Sequence, residues 1–215
     1  MAHTPLINWL KERLQKELPG ITAQERMTGR VLPMPGEIPE SARQGAVLAL
    51  LYPVNSVLTL LLMKRAADSS AHSGQVSFPG GKCDPEDADL VATALREAWE
   101  EVGLTANHIE IIGALSSLYI PVSNFNVHPF MAYTSVKPEL TPSPDEVEYI
   151  IEVPIAELFH PERITKVIVT SPADKSFVRK VPAYKLQDET VIWGATAMMI
   201  SELQMLLEEY EQELK

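Results

Sequence analysis

A pair of glycines that leads into an acidic helix constrains this chain more than any other feature of its sequence. Gly80 and Gly81 precede a stretch in which apolar residues recur at helical spacing, namely Val91, Leu95, Ala98 and Val102. Asp87 or Asp89 is expected to start this helix, because either acid places negative charge at its N-terminus, and Asp87 could cap it. Gly103 is expected to end it, since glycine readily adopts the left-handed conformation that follows a helix.

Three glutamates cluster on this predicted helix. Glu97 and Glu101 are four residues apart and share one face, and Glu100 borders that face. Like charges this close are destabilising unless something neutralises them, and a hard divalent cation takes carboxylate oxygens together with substrate phosphates. The alternative is a solvated acidic face with Arg96 as its counter-ion, which the glutamates alone would favour. The preceding glycines favour the metal site, because bare backbone N–H groups can approach phosphate oxygens closely.

Residues 96–104 resemble the core of the Nudix box. The run Arg-Glu-Ala-x-Glu-Glu-x-Gly-Leu matches the family pattern Arg-Glu-aliphatic-x-Glu-Glu-x-Gly-aliphatic. The family usually has a glutamate after a glycine and five residues, whereas here five residues after Gly81 lead to Asp87. Eight residues, instead of the family's seven, then separate Asp87 from Arg96. The chain therefore has an aspartate in place of the first glutamate of the pattern and one additional residue before the arginine.

The resemblance implies a metal-dependent hydrolase. Nudix enzymes hydrolyse a diphosphate that is linked to another moiety, and they use a divalent metal. By similarity, Glu97 and Glu101 are expected to be metal ligands, with Glu100 as a third. Arg96 is expected to orient a box carboxylate rather than to bind substrate. Mg²⁺ and Mn²⁺ both suit oxygen ligands, so the sequence leaves the choice of metal open.

A carboxylate must also orient or deprotonate the attacking water in such a reaction. Glu100 is one candidate within the box. Glu146 is another, because it lies on a proline-rich loop that could close over the site. Glu146 could equally be a solvent-exposed acid beside Asp145. The sequence leaves both alternatives open.

A second block, immediately before the first, looks like the signature of the coenzyme A pyrophosphatase branch of the family. It comprises Leu61-Leu62-x-x-Arg65 and the run His-Ser-Gly-Gln-Val-Ser-Phe-Pro-Gly-Gly at residues 72–81. Further similar segments are residues 118–124, 144–147 and 192–197. Many members carry a Leu-Arg pair where this chain has Ser69-Ser70. The resemblance implies hydrolysis of coenzyme A, or a derivative, to adenosine 3′,5′-bisphosphate and 4′-phosphopantetheine.

Several residues around this block are candidates for substrate binding. Gly80 and Gly81 expose bare backbone beside a short predicted strand. Arg65 can pair bidentately with a phosphate, and Lys82 can act as a mobile point charge. His72, on a polar loop, is a further candidate. Each of these three side chains could instead be a solvated surface residue.

Composition and charge narrow the binding partners and the cellular compartment that are compatible with the sequence. The chain has 215 residues and a formal net charge of −11, which argues against a nucleic-acid-binding surface. Its single cysteine, Cys83, permits no intramolecular disulfide, which fits a reducing compartment. No apolar run reaches the ~20 residues of a membrane span, and the N-terminus lacks a signal-peptide pattern. We therefore expect a cytoplasmic protein that acts on a small molecule and engages neither nucleic acid nor membrane.

The pattern of apolar runs predicts a mixed α/β fold. Residues 1–45 are expected to form an N-terminal helix and a proline-rich arm, both candidates for a homodimer contact, and residues 46–215 the hydrolase domain. The predicted strands are residues 46–52, 57–63, 75–78, 109–115, 126–135, 148–153, 164–170 and 177–184. Besides the acidic helix, helices are predicted at residues 5–18, at 155–159 and from 195 onward. The Nudix resemblance sharpens this to an α/β/α sandwich with a mixed sheet.

Two other functions are compatible with the sequence. One is a Nudix hydrolase of another nucleoside diphosphate derivative, such as ADP-ribose or a dinucleotide, against which the block at residues 72–81 argues. The other is a Nudix module that binds a nucleotide without cleaving it. The complete set of Glu97, Glu100 and Glu101 argues against the second, because a pure binding module does not need it.

Overall fold

The computed structural model describes residues 3–67, 72–170 and 178–215. Within these ranges the helices are α1 (Thr4–Arg13), α2 (Ile21–Gln24), α3 (Leu90–Val102), α4 (Ile155–Leu158) and α5 (Gly194–Glu213). The strands are β1 (Arg43–Val54), β2 (Val57–Arg65), β3 (Val76–Ser77), β4 (Gly80–Lys82), β5 (Glu110–Ala114), β6 (Leu118–Ile120), β7 (Phe125–Tyr133), β8 (Val147–Pro154), β9 (Ile164–Thr170), β10 (Val178–Lys185) and β11 (Val191–Trp193). Short 3₁₀ turns span Glu25–Met27, Pro35–Glu37 and Pro161–Arg163. Ser69-Ser70 lies outside the described residues, so its effect stays a prediction.

A mixed sheet forms the middle layer of the fold. Its main path runs β3-β2-β1-β7-β5, and β4, β6 and β8 join it by pairing with β1, β7 and β2. β1 and β7 run parallel, whereas the other pairs of this sheet are antiparallel. The predicted hairpin of β1 and β2 is present and turns at Asn55 and Ser56, which both have positive φ.

Apolar clusters cover both faces of this sheet, which explains why β1 and β2 are continuous apolar runs. Leu48 and Leu50 of β1 belong to the cluster that contains Ala94 and Ala98 of α3. Leu51 belongs to the opposite cluster, to which α1 and α5 contribute. The sheet is therefore enclosed by helices on both sides, and the prediction of an α/β/α sandwich with a mixed sheet is confirmed.

The N-terminal segment packs on the core of its own chain. Ile7 and Leu10 of α1 are buried in the cluster shared with α5. Arg13 forms an ion pair with Glu209 of α5, with Nε 2.6 Å from Oε2. The helix ends at Arg13, five residues before the predicted end at residue 18, and α2 follows. A homodimer contact through residues 1–45 stays a prediction.

A second sheet of three strands runs in the order β11-β10-β9. The predicted hairpin of residues 164–170 and 177–184 corresponds to β9 and β10. β11 was not predicted, because three residues are too few to show an alternating pattern. Tyr184 of β10 is buried and donates its hydroxyl hydrogen to Oε1 of Gln204 in α5 at 2.9 Å. This sheet and α5 together form one wall of a cavity.

Two segments that were expected to be loops contain short strands. β4 comprises Gly80, Gly81 and Lys82, and it pairs antiparallel with residues 45–47 of β1. Gly80 has a φ of 152°, and a Cβ there would lie 2.5 Å from Cα of Val47, so only glycine allows this approach. β6 lies within the predicted turn-rich connection and pairs with β7. None of the helices in the described ranges is long and apolar enough to cross a membrane.

Candidate active site

The acidic helix α3 begins and ends at identifiable caps. Asp89 is the N-cap, because its side chain accepts a hydrogen bond from the backbone N–H of Ala92 at 2.8 Å. Asp87, the other candidate, does not cap the helix. Gly103 ends α3 in the left-handed conformation, with φ 67°, as predicted. The buried residues of α3 are Thr93, Ala94, Ala98, Glu101 and Val102, so the predicted stripe is confirmed at Ala98 and Val102. Leu95 is partly buried and packs against the same apolar cluster, whereas Val91 is partly buried outside it.

Glu101 is the buried acid of the helix. Its side chain is 3% exposed. Oε1 accepts a hydrogen bond from Nη1 of Arg65 at 2.9 Å, and Oε2 accepts one from the backbone N–H of Gly80 at 2.8 Å. Burial raises the pKa of Glu101 to about 7, although the hydrogen bond from Gly80 and the charge of Arg65 act in the opposite direction. The carboxylate thus joins α3 to the end of β2 and to the start of β4.

Arg96 gathers three other acids of the segment. Its Nε and Nη2 donate to the two oxygens of Asp87 at 2.9 and 3.0 Å. Its Nη1 donates to Oε1 of Glu97 at 3.0 Å and to Oε2 of Glu100 at 3.1 Å, and Nη2 also donates to the carbonyl oxygen of Lys82. The hydrogen bonds from Arg96 hold the pKa of Asp87 well below its ordinary value. Arg96 therefore fixes the carboxylates relative to β4 and is saturated by protein acceptors.

Glu97 lies against the backbone of Gly81. A Cβ at Gly81 would be 2.5 Å from Cδ of Glu97, so glycine is required for the carboxylate to occupy this place. Burial raises the pKa of Glu97, Arg96 lowers it, and the negative charges of Glu100 and Glu146 raise it. The effect of Glu146 indicates that its charge lies near the carboxylate of Glu97, although the two residues are far apart in the sequence.

Glu146 is held near the helix by its loop. The backbone N–H of Ser143 donates to the carbonyl oxygen of Glu101 at 2.8 Å, and that of Thr141 donates to the carbonyl of Val102 at 2.8 Å. The carbonyl oxygen of Glu146 accepts a hydrogen bond from the backbone N–H of Ala66 at 2.8 Å. The side chain of Glu146 is exposed. The loop is therefore anchored at the C-terminal end of α3 and beside the end of β2.

The chemistry of these residues fits a divalent cation. Five carboxylates, on Asp87, Glu97, Glu100, Glu101 and Glu146, share the neighbourhood of only two guanidinium groups, on Arg65 and Arg96. Within the described ranges, no three acidic, histidine or cysteine side chains converge as a finished metal site, and the carboxylates of α3 and of Asp87 are hydrogen-bonded to the two arginines instead. Arg96 engages only one oxygen of each of Glu97 and Glu100, so their second oxygens can serve as ligands.

A cleft of about 290 Å³, which we call the glycine cleft, opens on the other side of Gly80 and Gly81. Its polar wall includes Arg65, His72 and Gln75. Its apolar lining consists of Val47, Val76, Phe78, Ile120, Phe125, Val127, Ala195 and Met199. Because Gly80 contacts Glu101 and Gly81 contacts Glu97, the glutamates lie directly behind one end of the cleft.

His72 is part of this cleft and not a solvated surface residue. Its ring nitrogens lie 3.4 Å from Oε1 of Gln75 and 3.1 Å from Oγ of Ser123. Burial lowers the pKa of His72, the hydrogen bond to Oε1 of Gln75 raises it, and the charge of Arg65 lowers it. The lowered pKa disfavours the protonated ring, which favours His72 as a hydrogen-bonding group rather than as a cation.

Lys82 differs from the other substrate-binding candidates. Its side chain is exposed and lines neither this cleft nor the adjoining cavity. Only its carbonyl oxygen takes part in the site, as an acceptor for Arg96 at 3.0 Å. The structure thus brings together Arg65, His72, Gly80 and Gly81 at the cleft but leaves the ammonium group of Lys82 outside it.

A second cavity of about 350 Å³ adjoins the glycine cleft and shares His72, Gln75, Ile120 and Ala195 with it. We call it the arginine cavity, because Arg30 and Arg179 line it. Its other lining residues are Met27, Thr28, Gly29, Pro121, Val122, Val169, Thr170, Val181, Trp193, Gly194 and Met198. Sequence reasoning missed both arginines, since they lie outside the recognisable blocks and are 149 positions apart.

An acidic helix packed on a mixed α/β/α sandwich beside a glycine segment is the arrangement of a Nudix protein, and comparisons with known proteins agree. The family model described as NUDIX domain matches residues 42–179. The Nudix hydrolase NudL of Pectobacterium atrosepticum is 35% identical over 172 residues, which are 78% of this chain and 87% of that protein. Nudix hydrolase 3 of Caenorhabditis elegans is 33% identical over 211 residues, which are 92% of this chain and 84% of that protein.

Solved structures support the same fold. The Nudix hydrolase RenU of M. smegmatis is 16% identical and superimposes with a TM-score of 0.51 over 80% of this chain and 87% of its own. At this identity the likeness concerns the fold alone. Taken with the family match and the relatives, the chain belongs to the Nudix family and is a Nudix hydrolase.

Proposed function

We propose that the protein hydrolyses the diphosphate bond of coenzyme A or one of its derivatives, giving adenosine 3′,5′-bisphosphate and 4′-phosphopantetheine or its acyl form. The observation that carries this proposal is the junction of the acidic helix with a largely apolar cleft at Arg65, Gly80 and Gly81. A diphosphate at this junction would leave the apolar lining for the long and mostly neutral pantetheine arm. The similarity of residues 61–81 to the coenzyme A branch supports the same substrate.

Arg65 and the glycines would bind the diphosphate. Arg65 uses Nη1 for Glu101 and has further N–H donors that can face a phosphate in the cleft. Gly80 and Gly81 carry no side chain that would keep a phosphate oxygen from their backbone. His72, whose pKa is lowered by burial and whose ring is hydrogen-bonded to Ser123, would orient a substrate oxygen by a hydrogen bond.

Glu97, Glu100 and Glu101 would hold the divalent cation, Mg²⁺ or Mn²⁺. When bound, such a cation neutralises non-bridging phosphate oxygens and lowers the pKa of a water ligand. Glu97 and Glu101 would contribute charge that is costly to bury, since the pKa of each is raised by burial. Arg96 would act as a positioning residue, because its donors all point at protein acceptors.

Glu146 is the better candidate for the base, with Glu100 as the alternative. One oxygen of Glu100 already accepts a hydrogen bond from Nη1 of Arg96 at 3.1 Å, so it is occupied by a protein donor. Glu146 is exposed and lies on a loop anchored to α3, and its negative charge raises the pKa of Glu97. A carboxylate oxygen of Glu146 would accept the proton of the water that attacks phosphorus.

The proposal is tested by measuring kcat/KM for coenzyme A and for ADP-ribose in parallel, each with Mg²⁺ and with Mn²⁺. Coenzyme A should be preferred by at least tenfold with the better metal, because ADP-ribose has no arm to fill the apolar lining. An equal or higher kcat/KM for ADP-ribose would contradict the proposal. Omission of the metal should abolish turnover of both substrates.

A further inference from the structure

The arginine cavity is lined by two positively charged side chains, whereas the protein as a whole has a net negative charge. The chain carries 29 acidic and 18 basic residues apart from histidine, yet no aspartate or glutamate is among the described residues that line this cavity. Arg30 and Arg179 are its charged lining residues. Two guanidinium groups at a cavity of about 350 Å³ favour an anionic group there by Coulomb attraction.

The fold brings these two arginines together from separate segments. Arg179 lies in β10, and Arg30 follows the turn at Glu25–Met27. The chain before Arg30 packs on β10, since a Cβ at Gly29 would lie 3.6 Å from the carbonyl oxygen of Lys180. Burial lowers the pKa of Arg30, and the positive charge of Arg179 lowers it further. A partly buried Arg30 and an exposed Arg179 thus bring two like charges close together, and a bound dianion would offset their repulsion.

We propose that Arg30 and Arg179 bind a phosphomonoester on the nucleoside end of the substrate, namely the 3′-phosphate of coenzyme A. The inference rests on the proposed function and deepens it, since it assigns the specificity of the same site to two residues outside the family blocks. A guanidinium pair suits this role, because a phosphomonoester dianion can accept bidentate hydrogen bonds from each arginine.

The two cavities adjoin each other along a shared wall, so that one substrate could extend from Arg65 to Arg30 and Arg179. His72, Gln75, Ile120 and Ala195 line the glycine cleft and the arginine cavity alike. A diphosphate near Arg65 would therefore place the attached nucleoside towards the shared wall, with its 3′-phosphate facing Arg30 and Arg179. Trp193 also lines the arginine cavity and is only partly buried, so its ring is available to the base of the same nucleoside.

The test compares coenzyme A with its 3′-dephospho form in wild type, Arg30→Gln and Arg179→Gln. The wild type should show a kcat/KM at least tenfold higher for coenzyme A. Each variant should lose most of this preference while its kcat/KM for the dephospho form stays within about twofold of wild type. Lys180→Gln is the matched control, because Lys180 is the exposed neighbour of Arg179 and lines neither cavity. A preference that is unchanged in both arginine variants would overturn the inference.

Binding measurements distinguish a failure of this inference from a failure of the proposed function. If neither form of coenzyme A is cleaved, the proposed function fails, and calorimetry with adenosine 3′,5′-bisphosphate and with adenosine 5′-monophosphate decides the inference alone. Arg30→Gln and Arg179→Gln should each weaken binding of the bisphosphate by about tenfold and leave the monophosphate unaffected. Equal affinity of wild type for both nucleotides, or an equal loss for both in the variants, would contradict an arginine site for the 3′-phosphate.

Discussion

Arg65 Nη1 lies 2.9 Å from Oε1 of Glu101, and this contact ties the last residue of β2 to the acidic helix. The other oxygen of Glu101 accepts the backbone N–H of Gly80. One carboxylate therefore sets the distance between the sheet, the glycine strand and α3. The same contact leaves Arg65 on the wall of the glycine cleft, so one pair positions both the proposed substrate-binding side and the proposed metal-binding side of the site.

The first prediction concerns stability and pH. Because the pKa of Glu101 rises from 4.5 to about 7 on folding, the native protein keeps a proton that the unfolded chain has released within this window. The free energy of unfolding should thus fall as pH rises from about 4.5 to 7, by about 3 kcal/mol at most, and level off above it.

Urea unfolding of chelator-treated protein between pH 5 and pH 8 measures this effect. The matched variant is Glu101→Gln, which keeps the hydrogen-bonding shape and cannot titrate. The wild type should lose more stability than Glu101→Gln over this range. Parallel pH profiles of the two proteins would show that Glu101 does not titrate in this way.

The second prediction concerns Arg96 as a positioning residue. Arg96→Lys keeps the charge but cannot engage Asp87, Glu97 and Glu100 together, so Mn²⁺ affinity should fall by about 10- to 100-fold. Asp84→Asn is the control, because Asp84 lies 3.8 Å from Arg96 and its side chain is 55% exposed. Calorimetric titration with Mn²⁺ checks both variants. An Arg96→Lys protein that binds Mn²⁺ as tightly as wild type would rule out the positioning role.

The third prediction concerns the approach of Glu97 to the glycine strand. In Gly81→Ala the new Cβ would lie 2.5 Å from Cδ of Glu97, so the carboxylate must move and metal affinity should drop by at least tenfold. Gly36→Ala is the control, since nothing lies within 4 Å of a Cβ there. Mn²⁺ titration and thermal unfolding of both variants provide the measurements. Equal Mn²⁺ affinity in both would mean that Glu97 is not a ligand.

The fourth prediction concerns the base. Glu146→Gln should lower kcat by about 10²- to 10⁴-fold with little change in KM or in Mn²⁺ affinity, because the loop anchors use backbone atoms and remain. Asp145→Asn, at the neighbouring exposed acid, should behave as wild type. Glu100→Gln serves as the comparison. If Glu100→Gln loses more kcat than Glu146→Gln at unchanged Mn²⁺ affinity, Glu100 and not Glu146 is the base.

The sequence predicted the layers and most elements because strong apolar periodicity and glycine signals define them. The hairpin of β1 and β2, the end of α3 at Gly103 and the hairpin of β9 and β10 follow local rules. Short pieces were missed, since β4 and β6 form only through pairing with distant strands. Local pattern carries no information about such partners.

The buried face of α3 shows why the site was harder to predict than the fold. Apolar spacing predicted the burial of Ala98 and Val102 but not that of Glu101, which is buried because Arg65 and Gly80 satisfy its oxygens. Burial of a charged side chain depends on partners that only the tertiary fold supplies. For the same reason the meeting of Arg30 with Arg179 has no signal in the sequence.

The most direct test of the account is product analysis after incubation of coenzyme A with Mg²⁺ or Mn²⁺, for wild type and for Glu101→Gln. Wild type should release adenosine 3′,5′-bisphosphate and 4′-phosphopantetheine in equal amounts. Glu101→Gln, folded by circular dichroism, should release neither at a comparable rate, because the metal loses a ligand and Arg65 loses its ionic partner. Intact coenzyme A with folded, metal-loaded wild type, or unchanged product formation by Glu101→Gln, would contradict the account.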